Sequence, residues 1–255
     1  MSPDVIDKVR RGHRLLLAGA LLLASGGAGA IVGASSEAHP MARSSVMVLN
    51  SRGGVCSAVV VAPDVVLTAG HCVAGGGEHR VHWKAGGAPV LVAPAEVKRH
   101  PGFSAGAEKT RQRSIDLALV RLPAALPGAF GPASLSTGGA AKGAGVTVAG
   151  YGVAREGDGR SSGTFRAAAL NVVEPYGPGR ILLWAAPPAG EAGACQGDSG
   201  GPLLDERDRV VAITSWARGR SGKACGELTQ GVLVAPQRAW IDTILSHWSR
   251  TANWN

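Results

Sequence analysis

The sequence predicts an all-β protein: two β-barrels followed by a docked C-terminal helix. Three observations lead there. Short aliphatic runs bounded by Gly, Pro and Asp recur along most of the chain. The region 131–145, GPASLSTGGAAKGAG, reads as a connector between two groups of such runs. A stripe with helical spacing is confined to the end.

Before these elements comes a segment with a different grammar. Lys8, Arg10, Arg11 and Arg14 precede the apolar run LLLAGALLLA at 15–24, and SGGAGA at 25–30 supplies small residues with Ala28 and Ala30 in A-x-A spacing. That is the pattern of a secretory signal peptide, with a run of about ten apolar residues where a spanning helix needs about twenty. No stable membrane anchor is therefore expected, and Arg10-Arg11 leaves open a twin-arginine route. A rival cut after Ala38 would start the chain at His39.

The chain has 255 residues, 45% of them apolar and 17% charged, enough for a real core and unlike a disordered polar chain. Residues 1–30 hold four basic and two acidic side chains, so their removal lowers the net charge from +8 to +6. This favours acidic surfaces in general, but no dense basic run interleaved with aromatics points to nucleic acid. Cys56, Cys72, Cys195 and Cys225 all follow the leader. An even count in an exported chain suggests two disulfides, with three connectivities open, and no C-x-x-C pair suggests zinc.

In chain order the β-like runs are SSVMVL at 44–49, SAVVVA at 57–62, DVVLTA at 64–69 and DLALVRL at 116–122. After the connector come GVTVAGYG at 145–152, RVVAITSW at 209–216 and GVLVA at 231–235. In PQRAWIDTILSHW at 236–248, Trp240, Ile241, Ile244, Leu245 and Trp248 share one helical face, with Pro236 suited to the first turn. Core packing explains that stripe.

The most specific stretch is CQGDSGGP at 195–202. A Gly-rich turn can present the Ser199 hydroxyl with backbone N–H groups beside it, but an alcohol at neutral pH needs a base. TAGHC at 68–72 offers His71, and an imidazole in that role needs an acid to fix its tautomer. Between His71 and Ser199 lie Asp116, Asp158 and Asp198. Asp158 sits in the polar loop REGDGR, and Asp198 adjoins the serine. Asp116 is embedded in the apolar SIDLALVRL, where a buried carboxylate must be paired, and it is the expected partner.

TAGHC, DLALV and GDSGGP, in the order His, Asp, Ser, resemble the chymotrypsin/trypsin-like serine peptidases. IVG at 31–33, VKRHPGF at 97–103, VAGYG at 148–152, SW at 215–216 and the final W-I helix extend the likeness over essentially everything after residue 30. The resemblance implies two six-stranded antiparallel Greek-key barrels, the first over about 31–135 and the second, with the helix, over about 145–250. It implies Ser199 as nucleophile, His71 as general base and acid, Asp116 as its orienter, and an oxyanion hole from the N–H groups of Gly197 and Ser199. It pairs Cys56 with Cys72 and Cys195 with Cys225. It also implies a free Ile31 ammonium that pairs with Asp198. Since Ala30 precedes Ile31, export and activation are expected to be one cut.

The same resemblance assigns the substrate pocket to Gly193 at the floor and to Ser215, Trp216, Ala217 and Gly231 along the walls. With Gly193 at the floor, a preference for Lys or Arg is not expected, and an uncharged pocket suits medium apolar or aromatic side chains. The chain departs from the pattern between Gly231 and Trp240, where it is about two residues short, at Leu233, and in CSAV at 56–59. Arg218, Arg220, Lys223 and Glu227 are charges near the rim without an assigned role. No metal or other cofactor is expected. The partners implied are protein or peptide substrates and protein inhibitors of a monomer, with an idle homologue that binds through its basic surface as the contrasting function.

Overall fold

The computed structural model describes residues 31–32, 38–110, 112–174 and 180–255, without the side chains at 108 and 109. The leader read over 1–30 lies outside the described residues. Among these, no helix is long and apolar enough to cross a membrane.

The first half builds β1 (Ser45–Asn50), β2 (Val55–Ala62), β3 (Val65–Thr68), β4 (His79–Ala85), β5 (Ala88–Val92), β6 (Glu96–Arg99) and β7 (Ala118–Arg121). They form one sheet in the order β5-β4-β1-β2-β3-β7-β6. β5 and β6 lie on opposite edges of that sheet, yet only residues 93–95, Ala-Pro-Ala, separate them. One path of chain, interrupted at a proline that cannot donate to a ladder, thus joins the two edges. Counting β5 and β6 as that single bent path recovers the six strands expected.

The second half contains β8 (Ser134–Leu135), β9 (Gly145–Gly150), β10 (Arg166–Val173), β11 (Leu182–Ala186), β12 (Pro202–Leu204), β13 (Val210–Arg218), β14 (Leu228–Leu233) and β15 (Asn253–Trp254). Its sheet runs β12-β9-β10-β11-β14-β13-β8-β15, and a further β12–β13 pairing closes the first six into a ring. The connector and the chain's last residues add β8 and β15, which pair in parallel.

Alternation sets the cores. In β10, Ala168, Leu170 and Val172 turn one way, against Val146 and Val148 of β9, while Ala167 turns into a second cluster. That second cluster spans both halves, joining Val59, Leu67 and Leu119 to Ile213, Val232, Ile241 and Leu245. The expected C-terminal helix is present as α2 (Arg238–His247), preceded by a 3-10 turn at Ala235–Gln237. Ile241, Leu245 and Trp248 are buried, and Trp240 and Ile244 pack against the core. A four-residue α1 (Ala107–Thr110), in the loop before Asp116, is an addition to the expectation of helix only at the end.

The residues after α2 reach back across the molecule. Arg250 donates to both carboxylate oxygens of Asp64, at 2.7 and 3.0 Å, in the turn between β2 and β3. The Trp248 indole donates to Glu96 Oε2 at 2.8 Å.

Candidate active site

His71 sits in the 3-10 turn Gly70–Val73 that follows β3, tied to β2 by the Cys56–Cys72 disulfide. Such a short loop closure is worth about 3 kcal/mol by chain-entropy reasoning. Gly70 permits the turn to approach the acid: a Cβ there would lie 2.9 Å from Phe103 Cδ2 and 3.1 Å from Asp116 Oδ1. Asp116 is 8% exposed and precedes β7 by two residues, so it lies in the approach to the strand and not within it. Its Oδ1 accepts the His71 backbone N–H at 2.8 Å. Its Oδ2 lies 2.7 Å from His71 Nδ1 and accepts the Ser215 hydroxyl at 2.6 Å. An ionised carboxylate only accepts, so Nδ1 carries the proton and Nε2 is the basic nitrogen. Burial pushes the Asp116 carboxyl up, but the bonds from His71 and Ser215 outweigh it and hold the group below its ordinary value.

Ser199 lies in the turn between β11 and β12, anchored by the Cys195–Cys225 disulfide. The turn is cross-braced. Ser57 N–H donates to Ser199 O at 2.8 Å, Gly200 N–H to Thr214 O at 2.7 Å, and Ser57 Oγ to Gly197 O at 2.9 Å. Gly197 and Gly200 have φ of +96° and +83°, and a Cβ on either would collide with Gly152 or with Ser57 and Thr68. Ser57, the residue that departs from the family's usual strand start, is therefore a brace of this turn. Among the described residues, the N–H groups of Gly197 and Ser199 donate to no protein acceptor.

Asp198 is fully buried behind the turn. Its carboxylate accepts from Gly152 N–H at 2.8 Å and Cys195 N–H at 2.9 Å. A Cβ at Gly150 or Gly152 would overlap that carboxylate, so both glycines of VAGYG make room for it. Burial pushes Asp198 up to about 7, against the two backbone donors and the Arg166 charge that favour ionisation. Ile31 is fully buried in the cluster formed by Val146, Val148, Ala168 and Leu170. Its φ is +60°, an unfavourable region for a β-branched residue. Val32 bridges to Gly193, whose N–H donates to Val32 O at 3.1 Å.

His71, Asp116, Ser199, Ser215, Trp216 and Ala217 line one cavity of about 1240 Å3. Ile181, Leu182, Trp184, Gln230 and Val232 line it too, and the Trp184 and Trp216 rings meet edge to face at 6.1 Å. Gly193 and Gly231 depart from the expectation that they form floor and wall, since neither is among the lining residues. A Cβ at Gly193 would meet Thr229 Oγ1 at 2.9 Å, and one at Gly231 would meet Leu203 Cδ1 at 2.5 Å, so both turn toward packed protein. Alternation along β14 puts Gln230 and Val232 on the cavity face and Gly231 on the other, while a bulge between Thr214 and Trp216 in β13 sets Gln230 opposite Trp216. The aliphatic-aromatic run ILLW at 181–184 could have signalled this wall.

The rim charges have local partners. Arg218 and Arg220 reach Glu227 at 3.3 and 3.8 Å, and Lys223 reaches Glu191 at 2.7 Å. Cys56, His71 and Cys72 cluster within ligand range of a metal, but both sulfurs are committed to the disulfide.

Two closed antiparallel barrels with a trailing helix, and with a serine, a histidine and a buried aspartate meeting in one cleft, define the class of two-barrel serine proteases. A family model described as Trypsin matches residues 31–241, and the chain belongs to that family. It is 29% identical to human kallikrein-11 over 179 residues, 64% of this chain and 62% of that protein, so the match spans less than two thirds of that relative. It is also 29% identical to trypsin delta of Drosophila erecta over 208 residues, 73% of this chain and 77% of that one. Among solved structures, human heparin binding protein superposes with a TM-score of 0.70 at 23% identity, covering 85% of this chain and 97% of that one. The mouse serine protease neuropsin gives 0.68 at 21% identity, covering 82% and 98%. At such identities these structures speak for the fold alone.

Proposed function

We propose that this chain is a secreted serine endopeptidase that cleaves proteins or peptides through an acyl-enzyme. The observation that carries the reading is the Asp116 carboxylate, which bonds His71 at both its backbone N–H and Nδ1 in the cavity that Ser199 also lines. In the proposed step, His71 Nε2 takes the Ser199 hydroxyl proton as Oγ attacks the substrate carbonyl carbon. The uncommitted N–H groups of Gly197 and Ser199 receive the oxygen that becomes negative. His71 then protonates the departing amine, and water, deprotonated by the same nitrogen, releases the acid and restores Ser199.

Among the described residues, no carboxylate other than Asp116 lines the cavity and Arg113 does, which supports the reading that the side chain before the cut is not Lys or Arg. Aliphatic and indole walls suit medium apolar or aromatic residues, with the Gln230 amide as the polar feature among them.

Activation is read as the cut before Ile31, made by signal peptidase at Ala30. Two observations support it. Asp198 is a fully buried carboxylate pushed up to about 7, and a nearby ammonium would restore its charge. Ile31 has a φ of +60° while residue 30 is attached, and that torsion ceases to exist once the bond is cut. The amino terminus of the secreted protein checks this: the expected first residue is Ile31, and His39 overturns it.

The activity is tested by labelling the processed protein with a fluorophosphonate. The expected outcome is one label per chain, on Ser199, lost in Ser199→Ala and strongly slowed in His71→Ala. Absence of labelling in correctly processed protein would favour a binding protein on the same fold.

A further inference from the structure

Among the described residues that line the cavity, Gln230 is the only half-buried carboxamide, since Gln112 and Gln196 are exposed. It stands in β14 opposite Trp184 of β11 and Trp216 of β13. Facing residues of an antiparallel pair project from the same side of the sheet, and all three line the cavity. The next facing pair on this side, Leu182 and Val232, lines it too. No hydrogen bond within the described protein engages the Gln230 amide, and its polar atoms are not sealed from solvent. A strand thus holds an uncommitted amide between two indoles and beside an aliphatic pair. In such a site, a few polar groups among apolar walls set specificity.

We propose that Gln230 is a specificity-determining residue: it receives a carboxamide side chain, glutamine or asparagine, at one fixed position of the substrate. The inference rests on the proposed peptidase reading and deepens it by naming what this wall of the cavity selects. The chemistry of the amide chooses the class. Gln230 offers a carbonyl oxygen that accepts and an NH2 group that donates. An ammonium or guanidinium only donates and a carboxylate only accepts, so each leaves half of the amide unmet. A carboxamide does both, forming two reciprocal bonds while its methylene stem lies along the indole and aliphatic wall. An apolar side chain would displace water from Gln230 and return no hydrogen bond, the penalty by which such sites reject analogues.

The test gives the processed protein sets of short peptides in which glutamine, methionine or lysine is placed at each position in turn, and reads kcat/KM by mass spectrometry. Methionine matches glutamine in length and lacks its polar pair. At one position, glutamine is expected to exceed methionine about tenfold, the worth of two modest hydrogen bonds. Gln230→Leu should bring that ratio close to one. Gln230→Glu, which can only accept, should turn the preference at the same position toward lysine. Ratios between peptides cancel any general loss of activity that a substitution causes. Cleavage with no position preferring glutamine, or a ratio unchanged in Gln230→Leu, would overturn the proposal and leave the peptidase reading standing.

A second readout does not need hydrolysis. Calorimetry of the Ser199→Ala protein should show the glutamine peptide binding about tenfold more tightly than its methionine counterpart, and adding Gln230→Leu should erase the difference. Equal affinities before that substitution would overturn the proposal. If the processed protein cuts no peptide at all, the peptidase reading fails, and this binding ratio alone decides whether Gln230 selects a carboxamide.

Discussion

Asp116 and Asp198 are both buried aspartates of the candidate active site, at 8% and 0% exposure, yet their environments drive them in opposite directions. Asp116 meets an imidazole, a hydroxyl and a backbone N–H, and is held below its ordinary value. Asp198 has two backbone donors in contact and is pushed up to about 7. Burial is the largest single influence on each. What differs is whether side chains with protons or charge to give lie against the carboxylate. The first site is complete in the chain as translated. On the proposed activation, the second would be completed by the ammonium freed when the bond before Ile31 is cut.

The strongest way to break this comparison is to neutralise each carboxylate in turn. Asp116→Asn keeps the shape but allows the wrong His71 tautomer, and kcat should fall on the order of 10⁴-fold, with partial recovery at alkaline pH. Asp198→Asn leaves His71 untouched and loosens the turn that aims the Gly197 and Ser199 donors. Its expected loss is about 10²–10³-fold, comparable to removing one oxyanion donor. Similar pH profiles for the two variants would mean that the sites are not distinct. Ser215→Ala removes one bond to the ionised Asp116, worth about 1.5–3 kcal/mol, so kcat/KM should drop roughly 10- to 100-fold with a higher acidic limb.

The smallest effect is on stability. A carboxyl raised in the fold contributes stability that is present below its unfolded value near 3.8 and lost as pH rises through about 7. Asp116, being lowered, contributes stability above that unfolded value and loses it as pH falls further. The uncut chain should therefore gain melting temperature as pH drops from 7.5 to about 5, and Asp198→Asn should flatten that rise. Calorimetry of cut and uncut chains checks it. An equal rise in both would deny the ammonium its role.

How much of this was legible in the sequence follows from which residues advertise themselves. TAGHC, DLALV and GDSGGP bring residues of unlike chemistry into tight motifs, so the site could be read before the fold. Seven strands announced themselves through valine, isoleucine and leucine. β10 did not, because RAAALNVV carries alanines where the sheet packs closely against Ile31 and its neighbours. β4 and β6 were hidden by basic residues on their exposed faces, as in HRVHWKA and EVKR. The pocket lining holds Gln230 and Val232 and not Gly231, because alternation along β14 puts those two on the cavity face, and no motif in the sequence reports which face that is.

His71 and Ser199 belong to different barrels, and the residues that clasp those barrels together lie far along the chain from both. Arg250 grips Asp64 at the foot of β3, the strand that leads to His71, while Trp248 holds Glu96. If His71 and Ser199 react together as proposed, their alignment rests in part on contacts made by the last residues of the chain, outside the cavity that both line. Under the proposed peptidase reading, a lesion at Arg250 or Asp64 would leave every reactive group intact and still lower turnover, a fault of assembly mistaken for a fault of chemistry.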